Sequence, residues 1–460
     1  MVDKLCEECG VFGIFDAEDD ASHKAFFGLI ALQHRGQESC GIAVNKDRVI
    51  SYHKGEGLVN DVFDEQILGR LRGNMAIGHV RYSTAGGGGP VNAQPLVLNY
   101  IKGNLGIAHN GNIVNSEPLK KEYERTGAIY QTTSDTEIIA YTIARERIHS
   151  GSIEQAVSNS MERLKGAFSL VVMSPQKLIA ARDPWGFRPL CMGRLENGAV
   201  VFASETCALD ALGAEFVRDI EPGEIVVADE NGVRSLREHC GRPSSLCVFE
   251  YIYFARPDSM VEGQFVYDAR KNAGACLARQ RPVEADAVVG VPDSGLGAGM
   301  GYAEESGIPY IEGFMKNRYI SRTFIRPSQS MREMAVRLKL NPIRQYIAGK
   351  RIVLVDDSIV RGTTCGRIVR LLREADAKEV HVRISAPQFL HRCYFGIDIP
   401  TDDELISNRQ SVEEIRKFIG ADSLEFLAIE NLRKIAPCAH TGFCEGCFTG
   451  RYPVEIAGNS

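Results

Sequence analysis

The pattern of hydrophobic and polar positions changes character near the middle of the chain. Before about residue 240, apolar runs such as residues 75–80 and 169–173 are short and separated by glycine-rich turns, which predicts short strands. A helix is predicted from Ser134, which begins a Ser-Asp-Thr-Glu string of capping-box form. A second helix is predicted over residues 153–164. Strands mixed with a few helices predict a layered α+β domain.

The second half alternates strands with helices. Residues 287–291 and 351–355 are near-continuous runs rich in β-branched side chains, and a helical stretch over residues 367–375 follows them. Strands buried on both faces have this composition, and they need helical crossovers between them. The pattern therefore predicts a parallel α/β sheet.

A polar segment at residues 229–245 separates these two patterns. It carries two glycines and a proline, which is typical of a boundary between domains. The chain has 460 residues, too many for one ordinary hydrophobic core. We therefore predict a first domain over residues 9–240 and a second over residues 247–460.

Composition and charge mainly exclude certain classes of protein. Fifty-three basic against 59 acidic residues give a net charge of −6, which argues against a nucleic-acid binder. The sequence has no apolar run of about 18 residues and no apolar stretch of signal-peptide type, so we expect a cytoplasmic protein without a membrane partner. The 13 scattered cysteines are not expected to form a disulfide framework, although a few could be nucleophiles or metal ligands.

The most specific local signal lies at residues 352–364. A buried strand ends in Asp356 and Asp357, and a loop of small residues then opens a helix. Parallel sheets bind ligands at the carboxyl ends of their strands, where free backbone N–H groups can hold a phosphate. Because carboxylates repel phosphate, the two aspartates suit ribose hydroxyls, or Mg²⁺ together with a polyphosphate. An ordinary acidic turn before a capped helix is the alternative.

These 13 residues resemble the phosphoribosyl-pyrophosphate motif of the type I phosphoribosyltransferases. The resemblance implies that Asp356 and Asp357 hold the ribose diol and Mg²⁺. Residues 291–295 resemble the pyrophosphate loop of that family, which makes Ser294 a further Mg²⁺ contact. The basic residues 316–326 resemble its flexible loop, which closes over the pyrophosphate. The implied contacts with phosphoribosyl pyrophosphate are Asp293, Ser294, Gly295, Asp356, Asp357, Ser358, Arg361, Gly362, Thr363 and Thr364.

Cys9 opens an apolar stretch that predicts a strand, where an isolated cysteine is usually a core residue. Its position near the start of the chain permits another role. If cleavage after Glu8 freed the α-amine of Cys9, a base that titrates near ~8 would lie beside the thiol. Cys6 is a second candidate that chemistry alone does not exclude.

The strings that follow Cys9 resemble those of the class II glutamine amidotransferases. Together they span most of residues 9–240. The resemblance implies an N-terminal-nucleophile hydrolase with two sheets between helices, in four αββα layers. It also implies that Cys9 is the nucleophile and that residues 1–8 are a propeptide that is removed. The strings are Leu-Gln-His-Arg-Gly at 32–36, Gly-His-Val-Arg-Tyr-Ser-Thr at 78–84, Ala-His-Asn-Gly-Asn at 108–112, Ser-Asp-Thr-Glu at 134–137 and Arg-Asp-Pro-Trp-Gly-Phe-Arg-Pro-Leu at 182–190.

Glutamine is a zwitterion, so its site needs both a cation and an acid. Arg81, at a strand end, can pair with the carboxylate through two hydrogen bonds. Asp135 can bind the ammonium group, although an acid in the first turn of a helix also has a structural role. Asn110 and Gly111 can form an oxyanion hole, but Asn-Gly between apolar runs is also typical of a hairpin turn. The resemblance adds Arg35 as a further glutamine contact.

Residues 444–447 form a C-x-x-C motif, which alone fits zinc binding, redox chemistry or coincidence. Both halves of the chain together resemble the glutamine phosphoribosylpyrophosphate amidotransferases, and one branch of that family binds a [4Fe–4S] cluster. The resemblance implies one such cluster per subunit, with Cys438 as a rival ligand and zinc as a rival metal. The implied cluster ligands are Cys247, Cys393, Cys444 and Cys447.

The same resemblance implies the activity and its setting. Ammonia released from glutamine would attack C1 of phosphoribosyl pyrophosphate and give 5-phosphoribosylamine, the first committed step of purine synthesis. An internal passage would carry the ammonia, because free ammonia is protonated and lost at neutral pH. One Mg²⁺ per subunit, a homotetramer and feedback inhibition by purine nucleotides are also implied.

Three alternatives remain open at this point. Another class II amidotransferase, such as a hexosamine synthase, should carry sugar-isomerase domains in place of residues 356–364. A non-catalytic sensor of phosphoribosyl pyrophosphate would keep its function if Cys9 were replaced by alanine. A redox protein would need a flavin or nicotinamide site, which nothing in the sequence resembles.

Overall fold

The computed structural model describes residues 9–16, 18, 20–82, 89–317, 340–397 and 401–456. The predicted propeptide and most of the basic segment at residues 316–326 lie outside these ranges. None of the helices in the described ranges is long and apolar enough to cross a bilayer.

The first half of the described chain carries short strands, as the sequence predicts. The predicted strands at residues 75–80 and 169–173 are confirmed. The strands are β1 (Gly10–Phe15), β2 (Ser39–Lys46), β3 (Val49–Glu56), β4 (Met75–Arg81), β5 (Leu96–Tyr100), β6 (Gly103–Ile113), β7 (Gly166–Met173), β8 (Leu178–Arg182), β9 (Cys191–Arg194), β10 (Val200–Ala203), β11 (Glu215–Asp219), β12 (Ile225–Asp229) and β13 (Gly232–Leu236).

Helices connect and cover these strands. The two predicted helices are present, and the second ends one residue earlier than predicted. The α-helices are α1 (Ala21–Ala31), α2 (Val59–Val62), α3 (Glu65–Arg70), α4 (Ser116–Glu124), α5 (Asp135–His149), α6 (Ile153–Arg163) and α7 (Thr206–Asp210), with 3₁₀ turns at Gln33–Arg35 and Pro90–Asn92.

Two antiparallel sheets face each other in this half. The first has the order β11-β9-β10-β1-β4-β2-β3, and the second has the order β13-β12-β8-β7-β6-β5. Val11 and Ile77 of the first sheet pack against Val171 and Ala180 of the second. Helix α1 covers the outer face of the first sheet, and α5 and α6 cover the outer face of the second. The predicted four-layer αββα arrangement is thus confirmed.

The start of α5 differs from the predicted capping box. The Ser134 hydroxyl accepts a hydrogen bond from the Thr136 N–H (3.3 Å), so Ser134 is the N-cap. The Glu137 carboxylate does not reach back to Ser134. It accepts instead from the N–H groups of Gln131 (3.0 Å) and Thr132 (2.7 Å). The reciprocal half of the predicted box is therefore wrong, because the preceding loop offers Glu137 other donors.

The second half contains strands β14 (Leu246–Cys247), β15 (Met260–Val261), β16 (Gln264–Phe265), β17 (Ala287–Gly290), β18 (Phe314–Lys316), β19 (Leu340–Pro342), β20 (Arg351–Asp356), β21 (Glu379–Ile384), β22 (Ser423–Phe426) and β23 (Phe443–Cys444). Its α-helices are α8 (Val266–Gln280), α9 (Gly295–Ser306), α10 (Arg344–Ile347), α11 (Thr363–Glu374), α12 (Val412–Ile419), α13 (Leu432–Ile435) and α14 (Gly446–Thr449). A π-helical turn spans Glu250–Phe254, and 3₁₀ turns span Asp402–Glu404, Ile406–Asn408 and Ile429–Asn431.

The central sheet of this half has the order β17-β20-β21-β22, and every pairing in it is parallel. The run over residues 352–355 is fully buried, as expected for a strand covered on both faces. The predicted parallel α/β sheet is confirmed. Its carboxyl edge carries the residues that follow β17 and β20.

The two halves meet through aromatic and polar contacts. The rings of Phe187 and Phe395 stack with their centroids 4.2 Å apart. The Asn112 amide, at the end of β6, donates to the Tyr394 carbonyl oxygen (2.8 Å). The Arg188 guanidinium donates to the Phe395 carbonyl oxygen (2.8 Å). These contacts place the segment around residue 394 against the strands of the first half.

Candidate active sites

Cys9 lies where the first sheet brings two strand ends together. Strands β1 and β4 run antiparallel, with Gly10 opposite Val80, so the residue before β1 lies beside the residues that end β4. The half-buried Cys9 thiol donates to the Tyr82 carbonyl oxygen, with Sγ 3.5 Å from the oxygen. The predicted nucleophile is therefore next to Arg81, a predicted glutamine contact.

Asn110 and Gly111 lie within β6 and not in a hairpin turn, so the structural alternative for this pair is wrong. Gly111 has φ +136°, and a Cβ at this position would overlap the Ala167 carbonyl oxygen on β7. Only glycine suits both conditions. The fully buried Asn110 amide has neither a donor nor an acceptor partner among the described residues. A ligand in the adjacent site could supply that partner.

Asp135 is the first residue of α5 and is buried. Its carboxylate accepts from the Ile113 N–H (3.1 Å) and lies 3.6 Å from Nδ1 of His109. Burial raises the pKa of Asp135, but the His109 charge and the N–H groups of Ile113 and Thr136 outweigh it and hold that pKa below its ordinary value. The group is therefore an anion at neutral pH, as binding an ammonium group requires.

Positive charge accumulates around Arg81 despite the acidic balance of the chain. Arg81 is buried at the end of β4. Burial chiefly, and the Arg81 charge in addition, hold the pKa of Lys54 below its ordinary value. Burial chiefly, with a smaller contribution from Arg81, also holds the pKa of His79 at about 3, so His79 is neutral. This cationic region can attract a carboxylate.

Arg35, a predicted glutamine contact, binds the backbone of Cys9 and two buried carboxylates. Its side chain is fully buried. Its Nε donates to the Cys9 carbonyl oxygen (3.0 Å), and its terminal nitrogens bind the carboxylates of Glu205 (2.5 Å) and Glu250 (2.9 Å twice). The guanidinium thus holds the backbone of Cys9 in place.

The predicted phosphate loop has the expected local structure. Strand β20 ends at Asp356, and α11 begins at Thr363 after Gly362, whose φ is +81°. Asp356 and Asp357 are buried, and the Ser358 hydroxyl donates to the Asp357 carboxylate (2.5 Å). A small cleft is lined by Asp356, Ser358, Ile359, Val360, Gly362, Thr364 and Cys365.

The predicted pyrophosphate loop lies against this loop. The Ser294 hydroxyl donates to the other oxygen of the Asp357 carboxylate. A Cβ on Gly295 would lie 2.5 Å from the Val355 carbonyl oxygen, so only glycine permits this approach of α9 to β20. Asp293 pairs with Lys316, and Arg361 pairs with Glu404. Residues 63 positions apart in sequence thus form one oxygen-rich edge.

The four cysteines predicted as cluster ligands come together. Cys247 and Cys444 are directly paired in the two-stranded sheet of β14 and β23. Burial raises the pKa of Cys447 well above its ordinary value, and the neighbouring thiols of Cys393, Cys444 and Cys247 raise it further. Cys438 is exposed. In the described ranges, no three His, Cys, Asp or Glu side chains converge closely enough for a single metal ion.

Sequence reasoning missed Glu205 and Glu250. Both carboxylates are fully buried and bind Arg35. Glu250 lies three residues after Cys247 in an otherwise apolar string, and an acid in such a string is the signal that could have found it. Its partners could not be identified from sequence, because they are 215 and 62 positions away.

Comparison with known proteins agrees with both halves. A glutamine amidotransferase domain model matches residues 79–211, and a phosphoribosyl transferase domain model matches residues 264–388. Amidophosphoribosyltransferase from Bacillus subtilis is 50% identical over 459 residues, covering 98% of this chain and 95% of the relative. Amidophosphoribosyltransferase from Methanocaldococcus jannaschii is 48% identical over 464 residues, covering 97% and 98% respectively.

A solved structure gives the same result in three dimensions. Glutamine phosphoribosylpyrophosphate amidotransferase from B. subtilis, complexed with ADP and GMP, matches with a TM-score of 0.91 and 48% identity. The match covers 98% of this chain and 99% of that one. With half of all positions identical along nearly the whole length, and with both domain models matched in one chain, this protein belongs to the amidophosphoribosyltransferase family of purine biosynthesis.

Proposed function

We propose that this amidophosphoribosyltransferase uses Cys9 to release ammonia from glutamine, and residues 356–364 to hold the phosphoribosyl pyrophosphate that receives it. The observation that carries the glutaminase part is the buried Asn110 amide, which lacks a hydrogen-bond partner in the described part of the chain. Leaving such a group unpaired costs about 1–3 kcal/mol. An oxyanion formed during the reaction supplies the missing partner.

The first step is attack on the glutamine amide. Once residues 1–8 are removed, the Cys9 α-amine takes the thiol proton, and Sγ forms a bond to the amide carbon. The Asn110 side chain and the Gly111 N–H donate to the oxyanion. Arg81 holds the glutamine carboxylate and Asp135 its ammonium group. The C–N bond breaks, ammonia leaves with the proton, and water then hydrolyses the thioester to glutamate.

The second step occurs at the carboxyl edge of the parallel sheet. Ammonia attacks C1 of the phosphoribosyl group, the bond to pyrophosphate breaks, and 5-phosphoribosylamine forms. The N–H and hydroxyl groups of residues 358–364 bind the 5′-phosphate, and Asp356 binds the ribose hydroxyls. Asp293, Ser294 and Gly295 bind the pyrophosphate. An internal passage carries ammonia between the two sites, since protonation in bulk water would make it unreactive.

Mg²⁺ fits the residues at this edge. The Asp356 and Asp357 carboxylates and the Ser294 hydroxyl offer oxygen ligands, which Mg²⁺ prefers. Sites of this kind usually combine one or two carboxylates with substrate phosphates. One Mg²⁺ per subunit, when bound, would supply positive charge to offset that of the pyrophosphate.

The cysteine set offers the ligands that a [4Fe–4S] cluster needs. Four thiolates are the number such a cluster needs, and they must be spread around a group much larger than one ion. Cys247 and Cys444 are paired across β14 and β23, and the thiols of Cys393, Cys444 and Cys247 raise the pKa of Cys447 as neighbours. One cluster per subunit would tie the end of the chain to β14, and Cys438 would not take part.

Regulation and assembly follow the family. The B. subtilis relative was solved with ADP and GMP bound, which supports purine nucleotides as feedback inhibitors of this chain. We propose a cytoplasmic homotetramer. We also propose that phosphoribosyl pyrophosphate switches on the glutaminase. Equal rates of glutamine hydrolysis with and without that substrate would contradict the switch.

The test uses anaerobically purified full-length protein. Intact mass and N-terminal analysis should report a chain that starts at Cys9 and carries the mass of four irons and four sulfides. Glutamine labelled with ¹⁵N in its amide should give labelled phosphoribosylamine, trapped by the next step of synthesis or by reduction. An active protein that still starts at Met1, or an unlabelled product, would refute the proposal.

A further inference from the structure

Four charged side chains form a fully buried cluster between the two halves. Arg35, Arg188 and Glu205 come from the first half, and Glu250 comes from the second. Glu205 pairs with Arg35, and Glu250 pairs with both arginines. Glu250 takes both terminal nitrogens of Arg35, at 2.9 Å each, and lies 3.5 Å from Nη1 of Arg188. The charges of these two arginines and two glutamates cancel. Buried ion pairs add little stability compared with apolar packing, so a stabilising role alone does not explain this cluster.

This cluster holds the nucleophile. The Nε of Arg35 donates to the Cys9 carbonyl oxygen (3.0 Å) while Glu250 fixes the other side of the same planar guanidinium. A bidentate pair fixes both position and plane. Because the thiol and the amine base belong to one residue, the orientation of the Cys9 backbone sets their approach to glutamine. A carboxylate in the second half thus controls the placement of the catalytic residue in the first.

Glu250 begins an unusual element that is anchored at both ends. It is the first residue of the π-helical turn Glu250–Phe254, and such turns occur frequently at functional sites. From Tyr251 to the residue after the turn, the buried guanidinium of Arg270 donates to the carbonyl oxygens of Tyr251 (3.0 Å), Tyr253 (2.9 Å) and Ala255 (2.7 Å). The turn cannot shift without breaking bonds to Arg35 or to Arg270.

Arg270 lies against α9, the helix that follows the predicted pyrophosphate loop, because a Cβ on Gly297 would lie 3.0 Å from the Arg270 Cβ. Burial lowers the pKa of Arg270 to about 10, while the carboxylates of Asp357, Glu205 and Asp293 act in the opposite direction. Asp357 and Asp293 belong to the two loops proposed to hold phosphoribosyl pyrophosphate. The turn therefore runs from the neighbourhood of one proposed site to the residue that orients the nucleophile of the other.

We infer that Glu250 is a positioning residue for Cys9, acting through Arg35, and that the π-helical turn makes the glutaminase depend on the fold of the phosphoribosyl half. This inference rests on the proposed role of Cys9. It assigns Glu250 a part in releasing ammonia but none in using it.

The decisive experiment compares two buried pairs that join the halves. Arg182 and Glu262 also pair across them (2.5 Å), and Arg182 donates to the carbonyl oxygens of Gly186, Arg188 and Ile220 instead of Cys9. Glu250→Gln and the matched control Glu262→Gln each remove one buried charge. Phosphoribosylamine synthesis is measured with glutamine and with ammonium chloride as nitrogen donor, because ammonium bypasses Cys9.

Glu250→Gln should lower kcat with glutamine by about 10- to 100-fold, the effect of misplacing a reacting group by about 1 Å. The KM for glutamine should change less than ~3-fold and the ammonium-dependent rate should be retained, because this pair does not bind glutamine and does not reach C1. Glu262→Gln should leave the ratio of the two rates unchanged. Parallel loss of both rates in Glu250→Gln, or an unchanged ratio, would reduce the cluster to a structural contact and overturn the inference.

Two further variants keep the result interpretable. Arg35→Lys keeps the charge but loses the planar fork, so it should reproduce the selective loss even if Glu250→Gln does not fold. A normal ratio in Arg35→Lys would also overturn the inference. Cys9→Ala tests the foundation separately, because retained glutaminase activity there would refute the role of Cys9 itself and not that of Glu250.

Discussion

The two proposed sites are built in opposite ways. The phosphoribosyl site is a nearly continuous string, residues 356–364, joined by one neighbouring loop at residues 293–295. The glutamine site takes single residues from β4, β6, the start of α5 and the residue before β1. One chain segment can place a phosphate cradle, since backbone N–H groups supply most of the donors. A zwitterion needs opposite charges on opposite sides, which separate segments must supply.

The largest effect should come from the nucleophile. Cys9→Ala should abolish glutamine-dependent synthesis, with a loss of about 10⁴-fold or more, because the group that forms the thioester is gone. Ammonium-dependent synthesis should persist, since the second site is intact. Steady-state rates with the two donors measure both. Loss of the two activities together would show that the sites are not separable and would break the comparison.

A substitution within residues 356–364 should lower the rates of synthesis with glutamine and with ammonium equally. Asp357 accepts from Ser294 and Ser358, so Asp357→Asn disrupts the charge and the hydrogen bonds that join the two loops. We expect pyrophosphate release to fall by about 10²- to 10³-fold, the usual cost of losing one preorganised electrostatic group. The same factor should apply with glutamine and with ammonium. A defect limited to glutamine would contradict the assignment.

Substrate binding in the first half should show a particular pH dependence. Asp135→Asn should raise the KM for glutamine by about 10- to 100-fold, because an ion pair to the substrate ammonium is lost. The Asp135 pKa is depressed below its ordinary value, so the wild-type carboxylate is ionised throughout the neutral range. The advantage of wild type should therefore be constant above pH ~5 and vanish only as pH falls through that depressed pKa. A KM that changes between pH 6 and 8 in wild type only would contradict this assignment.

The smallest expected effect is a difference between the two sites in how well the backbone accepts a Cβ in place of glycine. Gly111→Ala places a Cβ onto a carbonyl oxygen of β7 at φ +136°, whereas a Cβ on Gly362 would meet the Ile406 side chain at 2.9 Å with φ +81°. Backbone cannot yield as a side chain can, so Gly111→Ala should cost about 1–3 kcal/mol of unfolding free energy and Gly362→Ala less. Denaturant unfolding of both variants measures the difference. The reverse order would show that the string is the more rigid site.

The sequence predicted the phosphoribosyl site better than the glutamine site, because the first depends on local residues and the second on residues far apart in the chain. Residues 352–364 form strand, loop and helix start as predicted, because all of their determinants are local. Asn110 and Gly111 were ambiguous, since the pair also suits a hairpin, and only the pairing of β6 with β7 excludes the hairpin. The sequence could not identify the protein partners of Arg35, because they lie 26, 170 and 215 positions away. Glu137 found donors in the loop before α5, which a capping-box pattern cannot anticipate.

Strand β6 gives the molecule a property that neither half has alone. Asn110 is the proposed oxyanion-hole residue, and the side chain of Asn112, two residues further along the strand, donates to the Tyr394 carbonyl oxygen of the other half. Producing the two halves as separate chains would therefore remove the contact that steadies β6 two residues from the proposed oxyanion hole.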